Sequence, residues 1–458
     1  MNKFDCFSPI DYRYQVEELA PYLSEESFIR YKSRVEAALA EVLSERGVIG
    51  REDAAEIRAA SEQVHAEEVY QEEARTGHDI IAQVNMIRKR VSDGAKPGVH
   101  RTATSYDIVD TANAMRYRDA FGDVIIPDMV ALEREWIRIA REEKDTLQIG
   151  RTHLQHAEPI TFGFAMASYV SRLGKRIAII NDAVRGMEGK FSGAVGAYNA
   201  SSLFFDDPEA FEEEVLARAG LAPCEISSQI VQPEPMADLA HGVVSAFAVL
   251  ANWADDMRNL QRPEIAEIGQ PRGKDVSRSS TMPHKANPVG LENIKSMFKA
   301  SVPSMQTMYQ DQISDHQRDL TNSASQRFIP QMLNNFDYSV RRASRISKNM
   351  KAHPENMRKN FMLNSDKIMA EPLHLLLSAY GHPSSHEHVA MLSDESYRSG
   401  RPLIEIAMGD RTLEPYISKF TARQVDMLSN PDKYTGIASR KAQEVCDHWE
   451  KVMDEMGY

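Results

Sequence analysis

Cysteine is scarce: three in 458 residues, at Cys6, Cys224 and Cys446, far apart. Such a set forms no disulfide framework and no Cys-x-x-Cys metal site, so a stapled secreted scaffold is excluded and a reducing cytosol is expected. Positive charge is in deficit, with 54 Lys+Arg against 67 Asp+Glu and a net charge of −13. That speaks against a general nucleic-acid coat, whose affinity rests on a basic surface. The 23 glycines and 21 prolines are too few for long disordered tracts. No apolar run approaches the ~20 residues that span a bilayer, and the opening MNKFDCFSPIDYRY lacks the apolar stretch of a signal peptide. No nucleic-acid or membrane partner is therefore expected. Sustained alternation of period two is missing as well, which argues against sheets.

What is present is helix. A 42% hydrophobic chain of this length can bury a substantial core. Ile29 to Arg46 places Val35, Ala38, Leu39, Val42 and Leu43 at helical spacing. Further long helices are predicted over Val124 to Asp145, Thr161 to Met187, Met236 to Arg262, Pro288 to Gln312 and Arg327 to Met350. The segment after Met236 (VVSAFAVLANWA) is apolar around most of its circumference, as in helices inside bundles. Helices of about 25 residues run roughly 40 Å, and apolar faces that long favour pairing between subunits. The expected architecture is all-α. Its three parts are an N-terminal helical domain over 1–109, a central long-helix bundle over 110–350 and a C-terminal helical domain over 351–458. The stretch Glu264 to Pro288 is the least regular, and a loop of roughly 20 residues within a compact domain is usually functional.

Three polar clusters could carry chemistry. Ser279, Ser280, Lys285 and Asn287 fall in RSSTMPHKANP, ahead of a helix; this reads either as a polar loop with a capping serine or as a lid bringing a hydroxyl and a cation to a substrate. Thr152 and His153 fall in GRTHLQHAEP, before a long helix, where a lone histidine is as readily structural as catalytic. Thr104, Ser105 and Asp107 cap the helix that starts near Ile108, and a helix start is also a ready carboxylate site. His382, His386 and His388 (HPSSHEH) lack ligand spacing and read as structural. Gly273-Lys274 is no phosphate loop, and Asn199-Ala-Ser201 is a formal glycosylation sequon in a chain with no other sign of secretion.

SSTMPHKANPVGLE resembles the signature loop of the fumarase/aspartase lyase superfamily, GRTHLQHAEP its Thr-His segment and TATSYDIVDT its Thr-Ser-x-Asp segment, in the family's order. Within that superfamily SPIDYRY, TGHDI, SGAVGAYNA and QRDLTNSASQR resemble segments of the adenylosuccinate lyase family. The resemblance implies a three-domain helical fold assembled as a homotetramer whose active sites are shared between subunits. It implies cleavage of a C–N bond by β-elimination with release of fumarate, without a cofactor or a metal. Ser279 then matches the general base, with Ser280 as the alternative, and His153 the general acid. Met282, Lys285 and Asn287 belong to the substrate loop, where Lys285 and Asn287 hold a carboxylate. Thr104, Ser105 and Thr152 match carboxylate and site contacts. His78, Asp79, His100 and Gln229 line the pocket, and Arg13, Tyr14, Arg318, Ser323 and Arg327 face the phosphate and ribose of a nucleotide.

The chemistry is coherent apart from the resemblance. Removing a proton next to a carboxylate builds an aci-carboxylate, which cations and N–H dipoles stabilise. A serine base needs a dry, positively charged site, and a histidine suits the leaving nitrogen. Arg278 stands where the family has glycine, and Asn322 where an aspartate is usual. A substituted succinate of another kind, such as an N-substituted aspartate, a nitrosuccinate or a carboxymuconate, therefore stays open beside a purine substrate, as does a helical scaffold descended from such a lyase.

Overall fold

The computed structural model describes residues 5–270, 282 and 284–458. The predicted helices form within a few residues of their expected ends: Glu25–Glu45, Phe162–Arg185, Glu234–Leu260 and Ile329–Asn349. Ser24 opens the first of these by accepting a hydrogen bond from the Ser27 N–H at 3.2 Å. The helix expected over 288–312 divides into Val289–Ser301 and Pro303–Asp311, because Pro303 has no N–H and starts a helix more readily than it continues one. The helix expected from Val124 is Ile126–Glu142. It is joined to Ser105–Ala120 by a wide turn, Phe121–Ile125, just before the Pro127 ring.

The chain forms two compact units. The first comprises 1–130, 175–251 and 294–342; the second comprises 131–174, 252–293 and 343–458. In the first, Glu25–Glu45 packs against Arg51–Ser61, Ser105–Ala120 and Pro208–Ala219. Their buried faces build a core that includes Ile29, Leu39, Ile57, Ile87, Ile108 and Phe211. In the second, Trp136 packs edge-on against Tyr169 and at a tilt against Trp253 and donates its indole N–H to Ser347 Oγ at 3.0 Å. A smaller core there gathers Leu373, Leu377, Leu392, Leu403 and Leu413.

Two expectations need correction. The count of apolar runs misses Glu234–Leu260, because Asp238 and His241 interrupt the letters but not the helix. By length and composition it could cross a membrane, and 61% of its most apolar stretch is buried inside the protein. It carries Leu239, Val243, Phe247, Leu250 and Trp253 fully buried. β-structure is also present, as three two-stranded pieces among the described residues. The largest of these is an antiparallel hairpin, Leu147–Thr152 with Gln155–Thr161, in the stretch between the helices expected to end at Asp145 and begin at Thr161.

Candidate active site

In the first unit a cleft of about 750 Å³ is lined by His78, Asp79, Ser105, Gln229, Ser323 and Arg327 of the expected residues, together with Asp11, Gln15 and Tyr106. His78 caps Asp79–Arg88: its Nδ1 accepts the Ile81 N–H at 3.4 Å, and its Nε2 lies 3.5 Å from Ser105 Oγ. Asp79 accepts the Ile80 N–H at 2.8 Å and lies 4.0 Å from the Arg327 guanidinium. Arg327 folds back on its own turn, donating to Ser323 O at 2.6 Å and to Ser323 Oγ at 3.2 Å. Gln229 is held by its N–H on Gln317 O at 3.1 Å.

Five expected residues of this unit do not line that cleft. Arg13 is exposed and lies 6.0 Å from the Tyr14 ring. Tyr14 packs edge-on against Tyr338, and its carbonyl accepts from Asn334 Nδ2 at 2.9 Å. Thr104 spends its N–H on Asp107 at 2.8 Å. Arg318 donates to Tyr106 Oη at 2.6 Å and to Asn322 Oδ1 at 2.5 Å, its guanidinium 4.4 Å over the Tyr106 ring. Asn322 thus gives Arg318 a neutral acceptor. His100 adopts φ 61° and shares a 2.7 Å hydrogen bond with the buried Glu36. Burial of the ring works against its charge, but Glu36 beside it, with Asp107 behind, carries the His100 pKa above the usual value.

The start of Ser105–Ala120 is fastened by buried charge. Asp107 and Lys190, both fully buried, form an ion pair, and Asp107 also accepts the Gly193 N–H at 3.3 Å. One turn on, Asp110 accepts the Val231 N–H at 3.0 Å, and burial lifts its pKa to about 6.

In the second unit the expected residues Thr152 and His153 belong to the hairpin. Thr152 pairs with Gln155, which leaves His153 and Leu154 as a two-residue turn with φ of 52° and 62°. Two left-handed residues in succession make a turn that normally takes Asn-Gly; here an exposed imidazole occupies it. Gly150 is required below the turn, because a Cβ there would meet Glu158 O at 2.7 Å. The hairpin is anchored through Arg151, whose guanidinium reaches the fully buried Glu267 at 2.5 and 3.2 Å, while Gln148 and Asn360 donate to the same carboxylate at 2.8 and 2.9 Å. Ile149 packs with Phe361, Ile368 and Met369. Met282, Lys285 and Asn287 are exposed, with the Lys285 N–H on Met282 O at 3.0 Å. Ser279, Ser280 and Arg278 lie outside the described residues.

The sequence reading missed Tyr106, Lys190, Glu36 and Glu267. Glu36 carried a signal, since it sits next to Val35 on the buried stripe of its helix. Lys190 and Glu267 carried none. His382 and His388 prove to be linked: Ser384 N–H donates to His382 Nδ1, His382 Nε2 lies 3.1 Å from His388 Nδ1, and His388 Nε2 lies 2.9 Å from Asp410. The carboxylate that the local spacing lacked comes from 22 residues further on.

The comparisons with known proteins run along almost the entire chain. A relative from Pyrococcus abyssi named adenylosuccinate lyase is 33% identical over 454 residues, covering 98% of each chain. The Bacillus subtilis protein of the same name is 29% identical, covering 89% of this chain and 93% of its own. Among solved structures, a 3-carboxy-cis,cis-muconate lactonizing enzyme from Pseudomonas putida superposes with a TM-score of 0.84 at 23% identity, covering 96% of this chain and 99% of that one. A fumarate lyase from Mesorhizobium sp. BNC1 gives 0.82 at 22%, covering 94% and 97%. These last two share the helical fold. A family model described as a lyase matches residues 15–301, and with relatives of this identity over its full length the chain belongs to that lyase family.

Proposed function

We propose that the protein cleaves adenylosuccinate to AMP and fumarate by β-elimination, together with the related succinocarboxamide ribotide of purine synthesis. The observation that carries this reading is the cleft of the first unit, which gathers His78, Ser105, Gln229, Ser323 and Arg327 in a chain 33% identical to a protein named adenylosuccinate lyase. Ser279, with Ser280 as the alternative, takes the Cβ proton. The electron pair left on carbon delocalises into the adjacent carboxylate, held by Lys285 and Asn287. The C–N bond then breaks and His153 delivers a proton to the leaving nitrogen. Thr104 and Ser105 receive the fumaryl carboxylate, with Thr152, Met282, Asp79 and His100 around the reacting centre. Arg13, Tyr14, Arg318, Ser323 and Arg327 serve the nucleotide.

The working form in this reading is a cytoplasmic homotetramer with active sites shared between subunits, the middle segment 110–350 of a three-part chain supplying the helices that pair. The test is fumarate release from adenylosuccinate, followed by absorbance, beside a panel of N-substituted aspartates, nitrosuccinate and a carboxymuconate. Turnover of adenylosuccinate is expected. Turnover of another panel member alone would move the substrate, and silence from a folded oligomer would favour the scaffold reading.

A further inference from the structure

We propose that Lys190 is a positioning residue for substrate binding: by neutralising the buried Asp107 carboxylate it leaves the Thr104–Ser105 helix start able to receive a substrate carboxylate. The inference rests on the elimination reading, in which that turn meets the fumaryl group.

Asp107 is the third residue of Ser105–Ala120, and no part of it is exposed. A helix start attracts an anion through its free N–H groups and its dipole. An acidic residue within the first turn competes for both, accepting the N–H of Thr104 and adding a negative charge that repels a second anion. Lys190, also fully buried, cancels that charge, donates to Gly193 O at 3.2 Å, and is itself held through its carbonyl by Thr111 Oγ at 3.2 Å. The other ionisable groups around the pair include His100 from the preceding loop, Asp110 one turn along the helix, Glu212 from Pro208–Ala219 and the buried Cys224 thiol, which feels both Lys190 and Glu212. His100 is engaged with Glu36. Lys190 is therefore the one lysine set among three buried carboxyls in this cluster of the described residues. Breaking a buried pair by removing one partner leaves the other uncompensated. Without Lys190 the Asp107 carboxyl either takes up a proton or stays charged, and pH decides the proportion.

The experiment is steady-state kinetics on adenylosuccinate across the neutral pH range with the full-length enzyme and its Lys190→Met, Asp107→Asn and double variants. For Lys190→Met we expect KM to rise by about tenfold or more and to climb further with pH, while kcat changes by less than about threefold. In the double variant, neutral on both sides, we expect KM within about threefold of the parent and no added pH dependence. A folded Lys190→Met with the parent KM at every pH overturns the proposal, as does a double variant as impaired as the single one. Where Lys190→Met does not fold, Asp107→Asn carries the test: KM at or below the parent value supports the proposal and a tenfold rise overturns it. Absence of turnover by the unsubstituted enzyme on adenylosuccinate and on every other member of the panel overturns the elimination reading itself, and the inference with it; turnover of another member alone moves these kinetics to that substrate.

Discussion

Two segments that the sequence marks for chemistry use buried charge at different places, one at the functional turn itself and the other only at the base beneath it. The Thr104–Ser105 turn is fastened by buried charge: Asp107 with Lys190, and Glu36 with His100, each drawing residues 64 to 83 positions apart into one hydrogen-bonded set. The His153–Leu154 tip is held by backbone geometry. It is an exposed turn of two left-handed residues on a short hairpin whose base is pinned by Arg151 and Glu267. The difference follows from what each turn has to do. A turn that receives an anion needs its local charge balanced before the anion arrives, and burial makes that balance precise by removing water's screening. A turn that presents an imidazole needs only direction, which backbone dihedrals supply at a cost of order 1–3 kcal/mol per sparsely populated residue.

The largest expected effect separates direction from stability. His153→Ala should lower kcat by about 10²–10⁴-fold, the usual worth of a positioned acid. Because the ring is exposed, the thermal midpoint and the oligomer size should stay at parent values; a lost fold, seen by circular dichroism and size exclusion, would assign His153 a structural role. The next strikes the base of the hairpin. Glu267→Gln leaves Arg151 without its anion and should cost about 3–5 kcal/mol by denaturant unfolding; an unchanged midpoint would show that the strands hold the hairpin unaided.

A third prediction concerns pH. Glu158, on the second strand of the hairpin, is lifted to about 7 by its hydrogen bond to Glu371, by burial and by the like charge. The unfolded chain gives up that proton near the ordinary glutamate value, while the folded hairpin keeps it to about 7. The stabilisation from the shared proton is thus complete below the ordinary value and lost as pH rises through the folded one. Hydrogen exchange of the hairpin amides should quicken over that window, and Glu158→Gln should flatten the dependence; a flat parent profile would sink the shared-proton account. The smallest effect is the relief of the turn itself. Leu154→Gly removes a left-handed leucine and should stabilise the protein by up to about 1 kcal/mol, the steric gain less the added chain entropy. A destabilised variant would show that the Leu154 side chain contributes contacts that outweigh its backbone strain.

Legibility in the sequence differed between these two segments for a physical reason. The capping box at Thr104 and Asp107 was readable because it is a three-residue relation whose partners are neighbours in the chain. The hairpin was not, because its turn uses His-Leu in place of the glycine or asparagine that normally marks one, and because a bulge between Ile149 and Arg151 breaks the alternation of its first strand. The sequence resemblance places Arg13, Tyr14, His100, Thr104 and Arg318 in one site with His78 and Arg327, yet only His78 and Arg327 of these line the cleft. Nothing local distinguishes an arginine that faces a cavity from one that lies over a tyrosine ring.

Helical periodicity, capping signals and the all-α class are short-range properties, set by side chains three or four residues apart, and the sequence alone determined them. Which carboxylate meets which cation was decided only by the tertiary structure. Lys190 becomes the partner of Asp107 because a loop 83 residues on is carried against a helix start, and a buried charge is tolerable only where such a partner arrives.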